Sequence, residues 1–182
     1  MASSTTPGDL GRSAPDFELP GTDGRRYTRD AVRGPNGLLV MFICNHCPYV
    51  KAVLDKIIRD AAELAGGGVG SVAICSNDAA DYPEDSFDNM KALAARLRFP
   101  FPYLWDESQR VARDYGAVCT PDFFGFNAGL SLQYRGRIDD AGRSPKPAAA
   151  RELFDAMVQI ARTGEGPATQ AASIGCSIKW RH

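Results

Sequence analysis

The chain has 182 residues, 44% of them apolar, and a formal net charge of −1. That is enough apolar chain for one domain with a buried core. The near-neutral charge, with no basic block and no basic-aromatic stripe, excludes recognition of nucleic acid or an anionic membrane by electrostatic capture. The opening residues, MASSTTPGDLGRSAPDFELP, lack the basic and apolar segments of a secretory signal, and no apolar run is long enough to span a bilayer. The cytoplasm is therefore the expected compartment, where cysteines serve catalysis or metal binding more often than cross-linking. Five cysteines (Cys44, Cys47, Cys75, Cys119 and Cys176) make an odd set, which argues against a disulfide framework.

In chain order, residues 1–14 are rich in Ser, Thr and Gly and read as a flexible start. Phe17–Leu19 and Arg25–Thr28 flank Gly21-Thr22-Asp23-Gly24 and predict a short hairpin. Leu38–Ile43 is a continuous apolar run and predicts a strand buried on both faces. The period then changes. Val50, Val53, Leu54, Ile57, Ile58, Ala61 and Leu64 recur at helical spacing, and Gly66-Gly67-Gly68 closes the helix. Val69–Cys75 is a second apolar strand, which completes a βαβ unit.

Asp81-Tyr82-Pro83-Glu84-Asp85 leads into a helix on Phe87, Met90, Leu93, Ala94 and Leu97. Phe101–Trp105 predicts a short strand, Ser108–Tyr115 a short helix, and Phe123–Asn127 with Leu130–Tyr134 a hairpin. Ser144-Pro145 is expected to open a last helix reaching Thr163, and residues 164–182 read as a loop-like tail. The whole of 1–182 is read as one domain.

Cys44-Asn45-His46-Cys47 falls where a buried strand meets a helix N-terminus. Free N–H groups and the helix dipole stabilise negative charge there, so thiolates in such motifs have pKa values of roughly 3.5–7.5 against about 8.5 for a free thiol. His46, as an imidazolium, would add a second stabiliser. Two intervening residues let the second sulfur attack a mixed disulfide on the first. Pro48 costs little in a first turn. Two buried packing cysteines would be the plain alternative. A zinc site needs four ligands, and Cys75, Cys119, Cys176, His46 and His182 are scattered without a second paired motif. No metal or cofactor is expected. Thr120-Pro121 precedes an apolar strand and, on the residues alone, reads as an edge or turn proline.

The stretches APDFELPGTDG, FICNHCPYVKAV, YPEDSFDNMKAL, LWDESQRVARDYGAVCTPDFFGF, YRGRIDD and GCSIKW resemble the thioredoxin superfamily. The branch they match is the redoxins of the alkyl hydroperoxide reductase/thiol-specific antioxidant type, in a peroxiredoxin-like group with a thioredoxin-style CxxC. The resemblance covers about residue 10 to residue 180. It implies an α/β thioredoxin-like fold, a central mixed sheet flanked by helices with an N-terminal β-hairpin extension. It also implies a cis Thr120–Pro121 bond facing the CxxC.

Two departures from the family pattern bear on mechanism. Thioredoxins carry a buried acid in the strand before the motif, and residues 31–43 hold no Asp or Glu. His46 is then the nearest titratable candidate for proton handling. Peroxiredoxins carry a Thr three residues before the peroxidatic cysteine, and Cys44 takes that place relative to Cys47. Either cysteine could therefore attack first.

With thioredoxin-style roles, Cys44 is expected to be the more exposed attacker and Cys47 the buried resolver. Cys44→Ser would then abolish activity and Cys47→Ser would trap mixed disulfides. Cys75 reads as core. Cys119 is open between packing and redox, and Cys176 is an additional redox candidate. Arg135 and Arg137 could steer a substrate or lie at a solvated strand end. The functions implied are thiol–disulfide exchange through Cys44 and Cys47, or peroxide reduction, with a non-catalytic metal carrier as the alternative of another class. The partners would be a disulfide or peroxide substrate, protein or small molecule, and a thiol electron donor.

Overall fold

The structure, a computed structural model, describes residues 1–5 and 8–181. Thr6, Pro7 and His182, and what was expected of them, lie outside the described residues. The elements run β1 (Ala2–Ser4), β2 (Glu18–Pro20), β3 (Arg26–Thr28), α1 (Arg29–Val32), β4 (Gly37–Phe42), α2 (Pro48–Gly66) and β5 (Val69–Cys75). A 3-10 turn at Pro83–Asp85 follows, then α3 (Phe87–Leu97), β6 (Tyr103–Trp105), α4 (Arg110–Tyr115), β7 (Cys119–Thr120) and β8 (Asp122–Asn127). The chain ends with β9 (Leu132–Gly136), α5 (Glu152–Thr163) and β10 (Ile174–Ser177).

All six residues of β4 are buried, as expected of a strand covered on both faces. It pairs antiparallel with β8, and β8 with β9, while β5 and β6 are parallel. The Ile43 N–H donates to the Ile74 carbonyl and joins the two ladders into one mixed central layer. Strand alternation then divides the core. Leu39, Met41 and Ile43 pack with Val50, Val53, Ile57, Met157 and Ile160 of α2 and α5. Leu38, Val40 and Phe42 pack on the other face with Val32, Val111, Ala112 and Tyr115 of α1 and α4. This is an α/β thioredoxin-like fold with flanking helices, and β2 and β3 form the hairpin at its edge.

Three segments differ from expectation. The first residues form β1, which pairs with β10, and the Gly11 and Ala14 amides donate to Leu132 and Leu130. The tail likewise contains a strand, because β10 pairs with both β1 and β7. Small polar residues such as Ala2-Ser3-Ser4 have no apolar period, so only the tertiary pairing makes them strands. The last helix starts at Glu152 instead of Ser144. Lys146 precedes Pro147, which disfavours helical backbone there. The Asp140 carboxylate also accepts the Ala150 N–H at 2.9 Å and pairs with Lys146, so 144–151 is held as a loop.

Candidate functional site

β4 delivers Cys44, and Cys47 is the N-cap of α2 with Pro48 at its first position. Both cysteines are buried, at 1% and 0% exposure. The expected exposure of Cys44 is absent: neither motif cysteine reaches solvent, because strand-end backbone carries Cys44 and Thr120 of β7 lies against it. The Thr120–Pro121 peptide is cis. Thr120 Oγ1 lies 3.4 Å from Cys44 Sγ, and the Thr120 carbonyl oxygen lies 3.2 Å from Cys47 Sγ. The structure thus brings Cys44, Cys47, Thr120 and Pro121 together.

The two thiols are not equivalent. A hydrogen bond from Cys44 pulls Cys47 down to about 4 against the cost of burial, helped by the Cys176 thiol and the Val50 N–H. Cys44 is pushed up by the same hydrogen bond, by burial and by the nearby Asp85 carboxylate. These effects favour Cys47 as the sulfur that ionises first. In the thioredoxin-style assignment these roles were reversed. In the peroxiredoxin-style alignment Cys44 fills the place of the donating Thr, and the direction of the two shifts agrees with that alignment.

Asp85 is the residue that sequence reasoning missed. Its side chain is fully buried, and it accepts from Asn45 N at 2.7 Å, His46 N at 3.3 Å and Asn77 Nδ2 at 2.7 Å. His46 Nδ1 lies 2.6 Å from Oδ2, the oxygen that also accepts from Asn77. The His46 ring stacks on Tyr82 at 5.5 Å, so it is turned to Asp85 and Tyr82. The acid that thioredoxins place in the preceding strand arrives here from the turn after β5. The available signal was YPEDS itself, five residues whose two acids needed a role beyond the helix dipole.

Cys44, His46 and Asp85 place ligand-type atoms within 4.8 Å of one another. The 2.6 Å His46–Asp85 contact leaves no room for a cation between them. Cys119 is pushed well up by burial and the Asp122 charge and packs as a thiol, and burial pushes Cys75 up to about 12 in the core. Cys176, on β10, is partly exposed, and its Sγ is 2.8 Å from Cys47 Sγ. Arg135 is paired with Asp122 at 3.2 Å and stacked on Phe124, and Arg137 grips Glu152 through two hydrogen bonds. No helix among the described residues is long and apolar enough to cross a membrane.

Asp122, next to the cis-proline, offers a pH test. Burial pushes its carboxyl up to about 6 despite Arg135, and its Oδ1 has no hydrogen-bond partner. The native state then holds a proton between pH 4 and 6 that the unfolded chain releases. Stability from this group is full below about pH 4 and falls as pH rises to about 6, by about 3 kcal/mol. Melting curves across that window, wild type against Asp122→Asn, should show the downward slope in wild type alone.

A cysteine pair at a helix N-cap beneath a cis-proline, on this sheet, defines a redoxin. The chain belongs to the AhpC/TSA family, whose model matches residues 10–142. It is similar over 100% of its length, at 43% identity and a TM-score of 0.93, to 97% of an uncharacterized conserved protein from Geobacillus kaustophilus. A hypothetical protein of Sinorhizobium meliloti 1021 is similar at 38% identity and a TM-score of 0.92, covering 98% of this chain and 97% of that one. A thiol:disulfide interchange protein DsbE from Chlorobium tepidum shares the fold at 20% identity and a TM-score of 0.65, over 84% of this chain and 97% of its own. Comparison with curated protein sequences found no match.

Proposed function

We propose that this protein is a thiol–disulfide oxidoreductase whose oxidised state is a Cys44–Cys47 disulfide and whose reduced state carries a Cys47 thiolate. The observation that supports this most is the placement of both sulfurs at the N-terminus of α2 against the cis Thr120–Pro121 loop, and the direction of their pKa shifts, Cys47 down and Cys44 up, agrees with it. Oxidation removes a proton only from Cys44, because Cys47 is already ionised at neutral pH. A stabilised thiolate also stabilises the reduced form and makes the protein more oxidising.

Peroxide reduction is the second reading, favoured by Cys44 standing where a peroxiredoxin places its Thr. Against it, the two arginines nearest in the sequence pattern, Arg135 and Arg137, are committed to Asp122 and Glu152. A peroxidase needs a cation free to polarise the peroxide beside the thiolate.

A redox titration in dithiol buffers, with thiols counted by mass, tests the proposal. The oxidised protein should lose the mass of two hydrogens, with the bond mapped between Cys44 and Cys47. One proton per two electrons gives a midpoint falling by about 30 mV per pH unit between pH 5 and 8. A slope near twice that would mean both thiols are protonated in the reduced state. Two alkylatable thiols at every potential would sink the exchange reading.

A further inference from the structure

The exchange chemistry above leaves access unexplained. Cys44 and Cys47 are both buried, so no bulky disulfide reaches either sulfur as they stand. One thiol of the cluster does meet solvent. Cys176 is partly exposed, and its Sγ lies 2.8 Å from that of Cys47.

That approach is built by the strand pairing. β10 lies antiparallel to β7, with Cys176 opposite Thr120 and Ser177 opposite Cys119. β1 closes the other edge, with Ala2 opposite Cys176. Gly175 sets the distance: a Cβ there would lie 2.1 Å from the Thr120 carbonyl oxygen, so only glycine lets β10 sit against the cis-proline loop. The same loop holds Cys44 and Cys47 through Thr120. Further along, the Lys179 N–H donates to Asn77 Oδ1 at 2.9 Å, and Asn77 in turn donates to Asp85. The segment around Cys176 is thus tied to the motif from both sides.

We propose that Cys176 is the third redox thiol of this site, the solvent-facing end of a Cys44–Cys47–Cys176 relay that exchanges with external disulfides and dithiols. The proposal rests on the oxidoreductase reading and adds the port to it. A substrate disulfide meets Cys176, whose thiol proton passes through solvent to the substrate sulfur that leaves. The Cys176 sulfur bonds to one substrate sulfur, and the other leaves as a thiol. Cys47 then attacks Cys176, forming a Cys47–Cys176 bond and releasing the second substrate sulfur as a thiolate. Cys44 attacks Cys47 in turn, its proton passing to the Cys176 sulfur it displaces, which restores the Cys176 thiol and leaves the Cys44–Cys47 disulfide. Two protein thiols are oxidised and one substrate disulfide is reduced.

The reverse passage, with an external dithiol as reductant, restores the protein. Attack on the exposed Cys176 sulfur expels Cys47, and a sulfur with a low pKa leaves faster. Cys47, drawn down to about 4, is the better leaving group beside Cys176, which burial pushes up to about 11.

Two variants test the relay. Cys44→Ser, oxidised with a small disulfide such as oxidised glutathione, should yield a Cys47–Cys176 cross-linked peptide. Cys176→Ser should still form the Cys44–Cys47 disulfide with hydrogen peroxide, yet its reduction by dithiothreitol should be at least about tenfold slower than wild type. Absence of the cross-link, or a wild-type reduction rate in Cys176→Ser, overturns the relay. Either result leaves the oxidoreductase reading standing if wild type still forms its Cys44–Cys47 bond. Failure of that bond in wild type overturns the oxidoreductase reading itself, and the relay with it.

Discussion

Cys47→Ser should lower disulfide-exchange turnover by on the order of 10³-fold or more, the largest loss expected of any single substitution in the chain. Cys47 is the sulfur that both proposed disulfides share. It is the group that Cys44, Cys176 and the Val50 N–H all stabilise as a thiolate. A serine there has no accessible charge at neutral pH and forms no S–S bond. With Cys47 gone, a small disulfide should leave its adduct on Cys176, the exposed neighbour. Cys44→Ser should do less. It removes one stabilising donor from Cys47, whose pKa then rises, and the Cys47–Cys176 pair remains. The assay is turnover of a chromogenic disulfide, with mass mapping of trapped adducts. Equal losses in the two variants would argue for the thioredoxin-style order, in which Cys44 attacks.

The motif and its setting were legible in the sequence because both are local. A buried run ending at Ile43, a CxxC, and a helical period from Val50 need no tertiary information. The cis peptide before Pro121 was legible only through the resemblance, since the residues alone favour an ordinary turn. What the sequence hid was long-range. Asp85 reaches the Asn45 and His46 amides across 40 and 39 positions. Cys176 reaches Cys47 across 129, by way of a strand that has no apolar alternation. The relative burial of the two motif cysteines was equally hidden, because the cover comes from β7 and β10, not from the loop that carries them.

Asp85→Ala should destabilise the fold by about 3–5 kcal/mol and loosen the motif. Its buried carboxylate ties the Asn45 and His46 amides, the imidazole and the Asn77 side chain together. Each buried donor left unmet costs about 1–3 kcal/mol where water cannot replace the carboxylate, and the Asn45 amide and the Asn77 side chain both lose their acceptor. For a chain of this size the loss corresponds to a fall in Tm of about 10 °C or more. Asp85→Asn should fall between the two, since an amide oxygen can accept from the Asn45 and His46 N–H groups while its NH₂ faces Asn77 with the wrong polarity. The redox readout runs the other way. After the Cys47 hydrogen bond and burial, the Asp85 charge helps hold Cys44 up, so its removal should let the Cys44 thiol ionise at lower pH, visible in the thiolate absorbance. A merely structural Asp85 would change the melting temperature and leave that titration in place. A carboxylate that sets the thiol's proton affinity moves both, and in opposite senses for stability and acidity.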